Sequence, residues 1–332
     1  MMRVILVTGG CGFIGSNFIN YFIKRNKNYI VVNMDKLTYA GNTKNLTNLK
    51  NNPRYHFIKG DICNHELVNY VMKRYRPNHI LNFAAESHVD RSINRPSLFA
   101  QTNIMGTLTL LESARNYWRT GRYSRKNRFL QVSTDEVYGS TKNSKDFFME
   151  ESNLLPNSPY SASKASADLM VRAYGKTFGI PVITTRCCNN YGPYQNAEKF
   201  IPKCITNALK NESIPLYGDG LNIREWIYVQ DHCTALIRAL FYGKPGEIYN
   251  IGSGEEAANI YIVKKILKLL KKPESLIKMV KDRPAHDRRY ALNSYKAISN
   301  FKWSPRQTLD EGLKSTVNWY MQNEDWWTEK GP

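Results

Sequence analysis

No run of apolar residues in this 332-residue chain approaches the ~20 that a bilayer-spanning helix needs. The N-terminus passes from Met1 directly into a strand-like stretch with no cleavage site behind it, so a cytoplasmic protein with no membrane partner is expected. Cysteine is sparse and unpatterned. The six cysteines, at positions 11, 63, 187, 188, 204 and 233, form no Cys-x-x-Cys pair and have no matching histidines, which excludes the common zinc and dithiol motifs. Reduced structural thiols and no metal are expected. Acidic residues are also few, 28 Asp and Glu against 47 Lys and Arg, for a net charge of +19. A nucleic-acid surface would gather that excess on one face, whereas here it is scattered. Its densest stretches, residues 119–128 and 264–272, read as a surface loop and as the solvated side of an amphipathic helix. No nucleic acid is therefore expected, and the charge suits attraction of an anionic small substrate. Internal repeats and low-complexity segments are lacking as well.

The chain does hold 42% hydrophobic and 12% aromatic residues, enough for a sizeable core that at this length divides into two lobes. Apolar runs at 3–8, 30–34, 55–58, 79–84, 129–133 and 181–187 have the continuous character of buried strands. Helical patterns at 13–25, 64–75, 97–118 and 159–178 separate them. This alternation predicts an α/β fold, a Rossmann-type doubly wound parallel sheet formed by residues 1–188 with a segment returning at about 222–255. From residue 189 the helical patterns shorten (198–211, 231–242, 258–271, 309–321), which predicts a smaller ligand-binding lobe over the strand ends, mainly residues 189–332.

The first run leads into Gly9-x-x-Gly12-x-x-Gly15 and a helix from about Phe13. Such glycines let the backbone approach a pyrophosphate, which then rests on the helix N-terminus. Alone, the spacing is only a tight turn. The second run, however, ends on Asp35, where a carboxylate would accept adenosine ribose hydroxyls and repel a 2′-phosphate, so NAD is expected rather than NADP. Asp61, closing the third run, either meets the adenine amino group or caps the next helix.

Thr134-Asp-Glu136 ends the fifth run, upstream of Tyr160-Ser-Ala-Ser-Lys164. Tyr160 and Lys164 share a helix face, opened by Ser158-Pro159, and an ammonium beside a phenol favours the phenolate that takes a hydroxyl proton as hydride leaves. Two further carboxyl groups imply that a proton is also removed from carbon and a leaving group protonated. Read alone, an Asp-Glu pair is a polar turn after a strand.

With Asn82-Phe-Ala-Ala-Glu-Ser-His-Val-Asp-Arg-Ser92, Asn189-Asn-Tyr-Gly-Pro-Tyr-Gln195, Tyr217-Gly-Asp-Gly220, Arg224-Glu-Trp-Ile-Tyr-Val-Gln-Asp231 and Asp282-Arg-Pro-Ala-His286, these motifs resemble, over nearly the whole length, extended short-chain dehydrogenase/reductases. Within that group they resemble nucleoside-diphosphate-glucose 4,6-dehydratases of the dTDP-glucose type. The resemblance implies tightly held NAD, contacted by Gly9, Gly12, Phe13, Ile14 and Gly15, by Asp35, Lys36, Asp61 and Ile62, and by Ala84, Ala85, Tyr160, Lys164 and Asn190. It implies that Tyr160, aided by Thr134, accepts the sugar's 4-hydroxyl proton as hydride leaves C4, that Glu136 removes the C5 proton, and that Asp135 protonates the departing 6-hydroxyl. Ser87, Thr134 and Asn189 would meet sugar or phosphate and Arg224 the diphosphate, with an ordinary ion pair to Glu225 or Asp231 as the alternative for Arg224. Lys199, Tyr217, Asn259 and His286 are further substrate candidates. Ala197 and Ala285 stand where the family commonly has Pro and Gly, near the expected base pocket, and thymine is not distinguished from uracil. A related epimerase or decarboxylase, or a noncatalytic NAD-sensing protein, would have no use for the carboxylate pair. The resemblance further implies a homodimer through helices 97–118 and 159–178, which carry Leu108, Leu110, Leu111, Leu169, Met170 and Tyr174; burial inside one subunit is the competing reading.

Overall fold

Twelve strands are found in a computed structural model that describes residues 2–120, 126–141, 143, 145–282 and 287–328. They are β1 (Arg3–Thr8), β2 (Tyr29–Asp35), β3 (Tyr55–Lys59), β4 (His79–Asn82), β5 (Arg128–Thr134), β6 (Val182–Cys187), β7 (Asn189–Tyr191), β8 (Ile214–Tyr217), β9 (Ile223–Tyr228), β10 (Ile248–Ile251), β11 (Glu256–Ala258) and β12 (Ile277–Val280). Seven form one sheet in the order β10-β6-β5-β4-β1-β2-β3, every pair parallel. This is the doubly wound sheet that the alternating runs predict. The seventh strand, β10, returns to the edge beside β6 from the later half of the chain.

Both faces of the sheet are covered, which is why its strands read as continuous apolar runs. Ile5 and Val7 face a core shared with the helices Phe13–Arg25 and Val229–Tyr242 through Phe18, Phe22 and Leu236. Leu6 faces the opposite core, shared with the helices His65–Tyr75, Gly106–Thr120 and Pro159–Phe178 through Val68, Leu110 and Val171. Leu292, Phe301 and Trp303 also pack into the first of these cores. A third core holds the remaining elements, with Ile205, Trp226, Ile266 and Leu313 buried between the helices Phe200–Leu209, Asn259–Leu269 and Leu309–Gln322.

The chain runs outward from β1 to β3 and then crosses back to β4, so the connections leaving the adjacent strands β1 and β4 go to opposite faces of the sheet. A crevice opens at their carboxyl ends. The helix Pro159–Phe178 is started there by a reciprocal cap in which Ser161 N donates to Ser158 Oγ (3.1 Å) and Ser158 N to Ser161 Oγ (3.0 Å), with Pro159 in its first turn. The single helix expected over 97–118 is broken. Pro96–Phe99 is a short helix, Ala100–Met105 is a π-helical turn and only Gly106–Thr120 is regular α-helix. That wider turn brings Thr102 to the crevice. Leu110 and Leu111 are fully buried in the subunit's own core and Tyr174 nearly so, whereas Leu169 is 56% exposed. No helix among the described residues is long and apolar enough to cross a membrane.

Gly312 shows how tightly the third core is packed: a Cβ built there would lie 2.0 Å from the hydroxyl of buried Tyr191. Gly312→Ala should therefore lower stability by about 1–3 kcal/mol, read as a lower denaturant midpoint at unchanged slope.

Candidate active site

The crevice is lined by the turn after β1 and by the ends of β2, β3, β4, β5 and β6. Gly9, at φ +70°, packs so closely on the end of β4 that a Cβ would come within 2.6 Å of Ala84 N. Gly15 has its own limit, since a Cβ there would reach Gly9 O at 2.4 Å. Gly12 differs. Its nearest neighbour to such an atom is Gly9 O at 3.3 Å, and it opens the helix Phe13–Arg25 without any side-chain cap. The first amides of that helix, at Phe13 and Ile14, thus border the cavity and suit an anion.

Both oxygens of Asp35 accept backbone amides, Cys11 N at 2.8 Å and Leu37 N at 2.8 Å. Burial pushes this carboxyl up, and the two amides partly offset the shift. Asp61 pairs with Lys36 at 2.7 Å and accepts Cys63 N, while Asn64 caps the helix His65–Tyr75 by accepting Leu67 N. The capping alternative at Asp61 therefore falls to its neighbour. Ile62, Ala84, Ala85 and Asn190 complete this side of the cavity. Asn190 is held by Cys188 O (3.0 Å) and by His232 Nδ1 (2.8 Å).

At the end of β5 the chain turns through one 3₁₀ turn, Asp135–Tyr138. Thr134 Oγ1 accepts Glu136 N at 3.3 Å and donates to Asp135 Oδ1 at 3.1 Å. Asp135 is buried, and its other oxygen has no hydrogen-bond partner among the described residues. Burial, with the neighbouring carboxylates of Glu136 and Glu225, pushes its carboxyl well above the usual range. It is set up to carry a proton. Tyr160 is also pushed up, first by burial, then by Glu136, Cys187 and Asp135, with a hydrogen bond to Thr134 opposing. Lys164 donates to Val132 O at 2.7 Å, and burial lowers its ammonium while Asp168 opposes. The reading from helical spacing set the ammonium against the phenol. In the structure the ammonium is bonded to the β5 backbone, and the Glu136 carboxylate is the strongest charge acting on Tyr160.

Thr134, Asp135, Glu136, Tyr160 and Lys164 share this cavity with Ser87, Asn189 and Lys199. Lys199 Nζ donates to Ser87 O at 2.7 Å, joining the segment after β7 to the segment after β4, and Arg91 pairs with Glu198 beside it at 2.8 Å. Asn189 Oδ1 is buried without a partner among the described residues. Three expected substrate residues do not border the cavity. Arg224 is buried, donates to Asp287 O (2.8 Å) and Ile223 O (2.8 Å), and lies over the Tyr290 ring. It forms neither expected ion pair, because Glu225 accepts Gly254 N and Leu292 N, and Asp231 accepts Arg306 N and Gln307 N. Its charge does reach Asp135. Tyr217 is 39% exposed at the end of β8, and Asn259 opens the helix Asn259–Leu269. His286 and Ala285 lie outside the described residues.

Sequence reading missed Gly10, where a Cβ would meet Asn33 Oδ1 at 2.2 Å, and the cavity-lining Thr102, Glu86, Cys187, Cys188 and Gln195. Cys187 was within reach, since it ends a strand of this sheet and stands opposite Thr134.

A Tyr/Lys helix and a glycine turn meeting at the switch point of a parallel sheet define a dinucleotide-dependent enzyme of the short-chain dehydrogenase/reductase class. The profile of the family described as GDP-mannose 4,6 dehydratase matches residues 6–316, and the chain belongs to that family. A dTDP-glucose 4,6-dehydratase of Neisseria meningitidis serogroup B is 49% identical over 339 residues, spanning 98% of this chain and 95% of that protein. The crystal structure of dTDP-glucose 4,6-dehydratase from Bacillus anthracis in complex with NAD superposes with a TM-score of 0.90 at 48% identity, covering 98% of this chain and 99% of that one. A Thermus thermophilus UDP-glucose 4-epimerase complex with NAD has a similar TM-score, 0.87, at only 28% identity, covering 97% of this chain and 100% of that one.

Asp135 is protonated below its unfolded value of 3.8 in both states; as pH rises past that value the unfolded chain ionises first, so this carboxyl costs stability up to its raised folded value. Asp135→Asn removes the cost. Its melting temperature relative to wild type should rise as pH increases above about 4, measured by parallel thermal scans.

Proposed function

We propose that this protein is a hydro-lyase that converts dTDP-glucose to the 4-keto-6-deoxy sugar nucleotide with NAD as a recycled cofactor, for deoxysugar biosynthesis. The observation that carries the reading is Asp135, a buried carboxyl held toward its protonated form, one residue from Glu136 and in the same cavity as Tyr160 and Lys164. A 4-epimerase needs no acid for a leaving hydroxyl. The dTDP-glucose 4,6-dehydratases among its relatives, at 49% identity against 28% for the epimerase, support both the reaction and thymine as the base.

The chain fits the cofactor. Gly12 and the uncapped helix behind it suit a pyrophosphate, and Asp35 keeps a lone pair on each oxygen for ribose hydroxyls. Bound NAD would supply a hydride acceptor for C4, a hydride donor for C6 and positive charge favouring the phenolate. Tyr160 takes the 4-hydroxyl proton, and Thr134 steadies the phenol. Lys164, anchored on Val132 O, orients the nicotinamide ribose. Oxidation at C4 acidifies the C5 hydrogen, which Glu136 removes. Asp135 gives its proton to the 6-hydroxyl as it leaves as water. Ser87, Asn189 and Lys199 hold the sugar and diphosphate, and Arg224 acts from one layer behind, through its field on Asp135. Tyr217, Asn259 and His286 are further candidates for contact with the substrate. The dinucleotide is held by residues 1–188 with the return at 222–255, and the sugar nucleotide mainly by 189–332.

Glu136→Gln should still reduce its bound cofactor on mixing with dTDP-glucose, giving absorbance at 340 nm, while water loss and C5 hydrogen exchange fall on the order of 10²–10⁴-fold. Tyr160→Phe should show no such absorbance. Asp135→Asn should retain C5 exchange but eliminate water slowly. Wild-type turnover by both carboxylate variants, followed by mass spectrometry, would overturn the assignment.

The enzyme is further proposed to work in the cytoplasm as a homodimer whose contact includes exposed Leu169 and Met105, on neighbouring helical segments. Leu169→Lys should shift the mass by light scattering at micromolar concentration from dimer to monomer; a monomeric wild type sinks the dimer.

A further inference from the structure

Behind the cavity, on the side away from any ligand, one guanidinium ties together the two halves of the catalytic machinery. Arg186, buried in β6, donates from Nε to Asp168 Oδ2 at 3.0 Å and from Nη1 to the Tyr138 hydroxyl at 2.9 Å. Nη1 also reaches Glu150 O at 3.4 Å. Asp168 lies one turn beyond Lys164 on the helix Pro159–Phe178, and Tyr138 is the last residue of the turn that begins with Asp135 and Glu136. The Tyr138 hydroxyl in turn donates to Asn250 Oδ1 at 2.8 Å, and Asn250 is fixed on β10 by Phe148 O and the Glu150 side chain. The phenol ring is further held by the Arg186 guanidinium, 4.8 Å from its centre, and by Phe148 stacked at 5.0 Å.

We infer that Arg186 and Tyr138 are positioning residues that hold the acid–base turn in register with the Tyr160/Lys164 helix, so that elimination follows oxidation without a pause. This rests on the dehydratase reading above. A planar fork suits the task, because it can bond a carboxylate on one element and a hydroxyl on another with fixed angles between them. The two halves depend on it unequally. Tyr160 and Lys164 sit on a 20-residue helix with its own hydrogen bonds, and Lys164 has a separate anchor on Val132 O. The turn has four residues; Val137 O accepts Leu155 N at 3.1 Å, and the hydroxyl of Tyr138 fastens the far end. Loosening that fastening displaces Asp135 and Glu136 while leaving the phenol in place.

The decisive variant is Tyr138→Phe, which keeps the ring and removes only the hydroxyl. A displacement of about 1 Å at reacting groups costs on the order of a hundredfold in rate, so elimination should slow by roughly ten- to a hundredfold with C4 oxidation within about threefold of wild type. The signature is spectroscopic: on mixing with dTDP-glucose, 340 nm absorbance should persist in the steady state, where wild type shows little. Arg186→Lys, unable to span both partners, should show the same imbalance; if it does not fold, Tyr138→Phe decides alone. Any result in which elimination is not the more impaired step, including equal slowing of both steps or none, overturns the inference. Failure of wild type itself to release water from dTDP-glucose would instead overturn the functional reading.

Discussion

The backbone of Gly9 lying against Ala84 is the contact on which the rest of the site depends. It places the ends of β1 and β4 side by side where the chain's two windings part, and no side chain fits between them. Because the strands on either side are parallel, every one of them ends at this edge, and every chemically useful residue can be delivered there by a strand terminus. Asp35 ends β2, and Thr134 ends β5. The core beneath is packed from both faces, so buried hydrophobic area holds these termini together with the contacts inside the crevice.

Charge is used at the site in an unusual proportion. A chain with a net charge of +19 places carboxyls at its centre, with Asp135, Glu136 and Glu225 near one another and Arg224 held a layer back by carbonyls and the Tyr290 ring. Burial without a close counter-ion disfavours ionisation, so the acid is made by depriving Asp135 of partners. That arrangement lowers stability, as proton linkage requires for a carboxyl raised in the folded state. The chemistry and the fold thus pull this residue in opposite directions.

The sheet was legible because both its faces are buried, which writes apolar runs into the sequence, and the catalytic residues were legible because their types are rare in combination at a strand end. What was not legible depends on neighbours distant in the chain. Gly10 is required by the Asn33 side chain of β2, which no spacing within the turn reveals. The π-helical turn at Ala100–Met105 carries no proline or glycine inside it to announce a break. For Arg224, expected at the diphosphate, the alternative partners Glu225 and Asp231 follow from nearness in sequence, yet successive residues of β9 point to opposite faces, which puts Arg224 and Glu225 within reach of different backbone groups. The cap at Asn64 and the ion pair of Asp61 with Lys36 likewise needed the loop geometry.

The two fastenings across the mouth of the crevice differ in their surroundings. Lys199 reaches Ser87 O from a sheltered position, whereas Arg91 meets Glu198 with its guanidinium about half in solvent, 47% exposed. Dissolved ions screen the second far more than the first. The two pairs beside the crevice therefore answer unequally to ionic strength, the exposed one weakening as salt is added while the sheltered one holds.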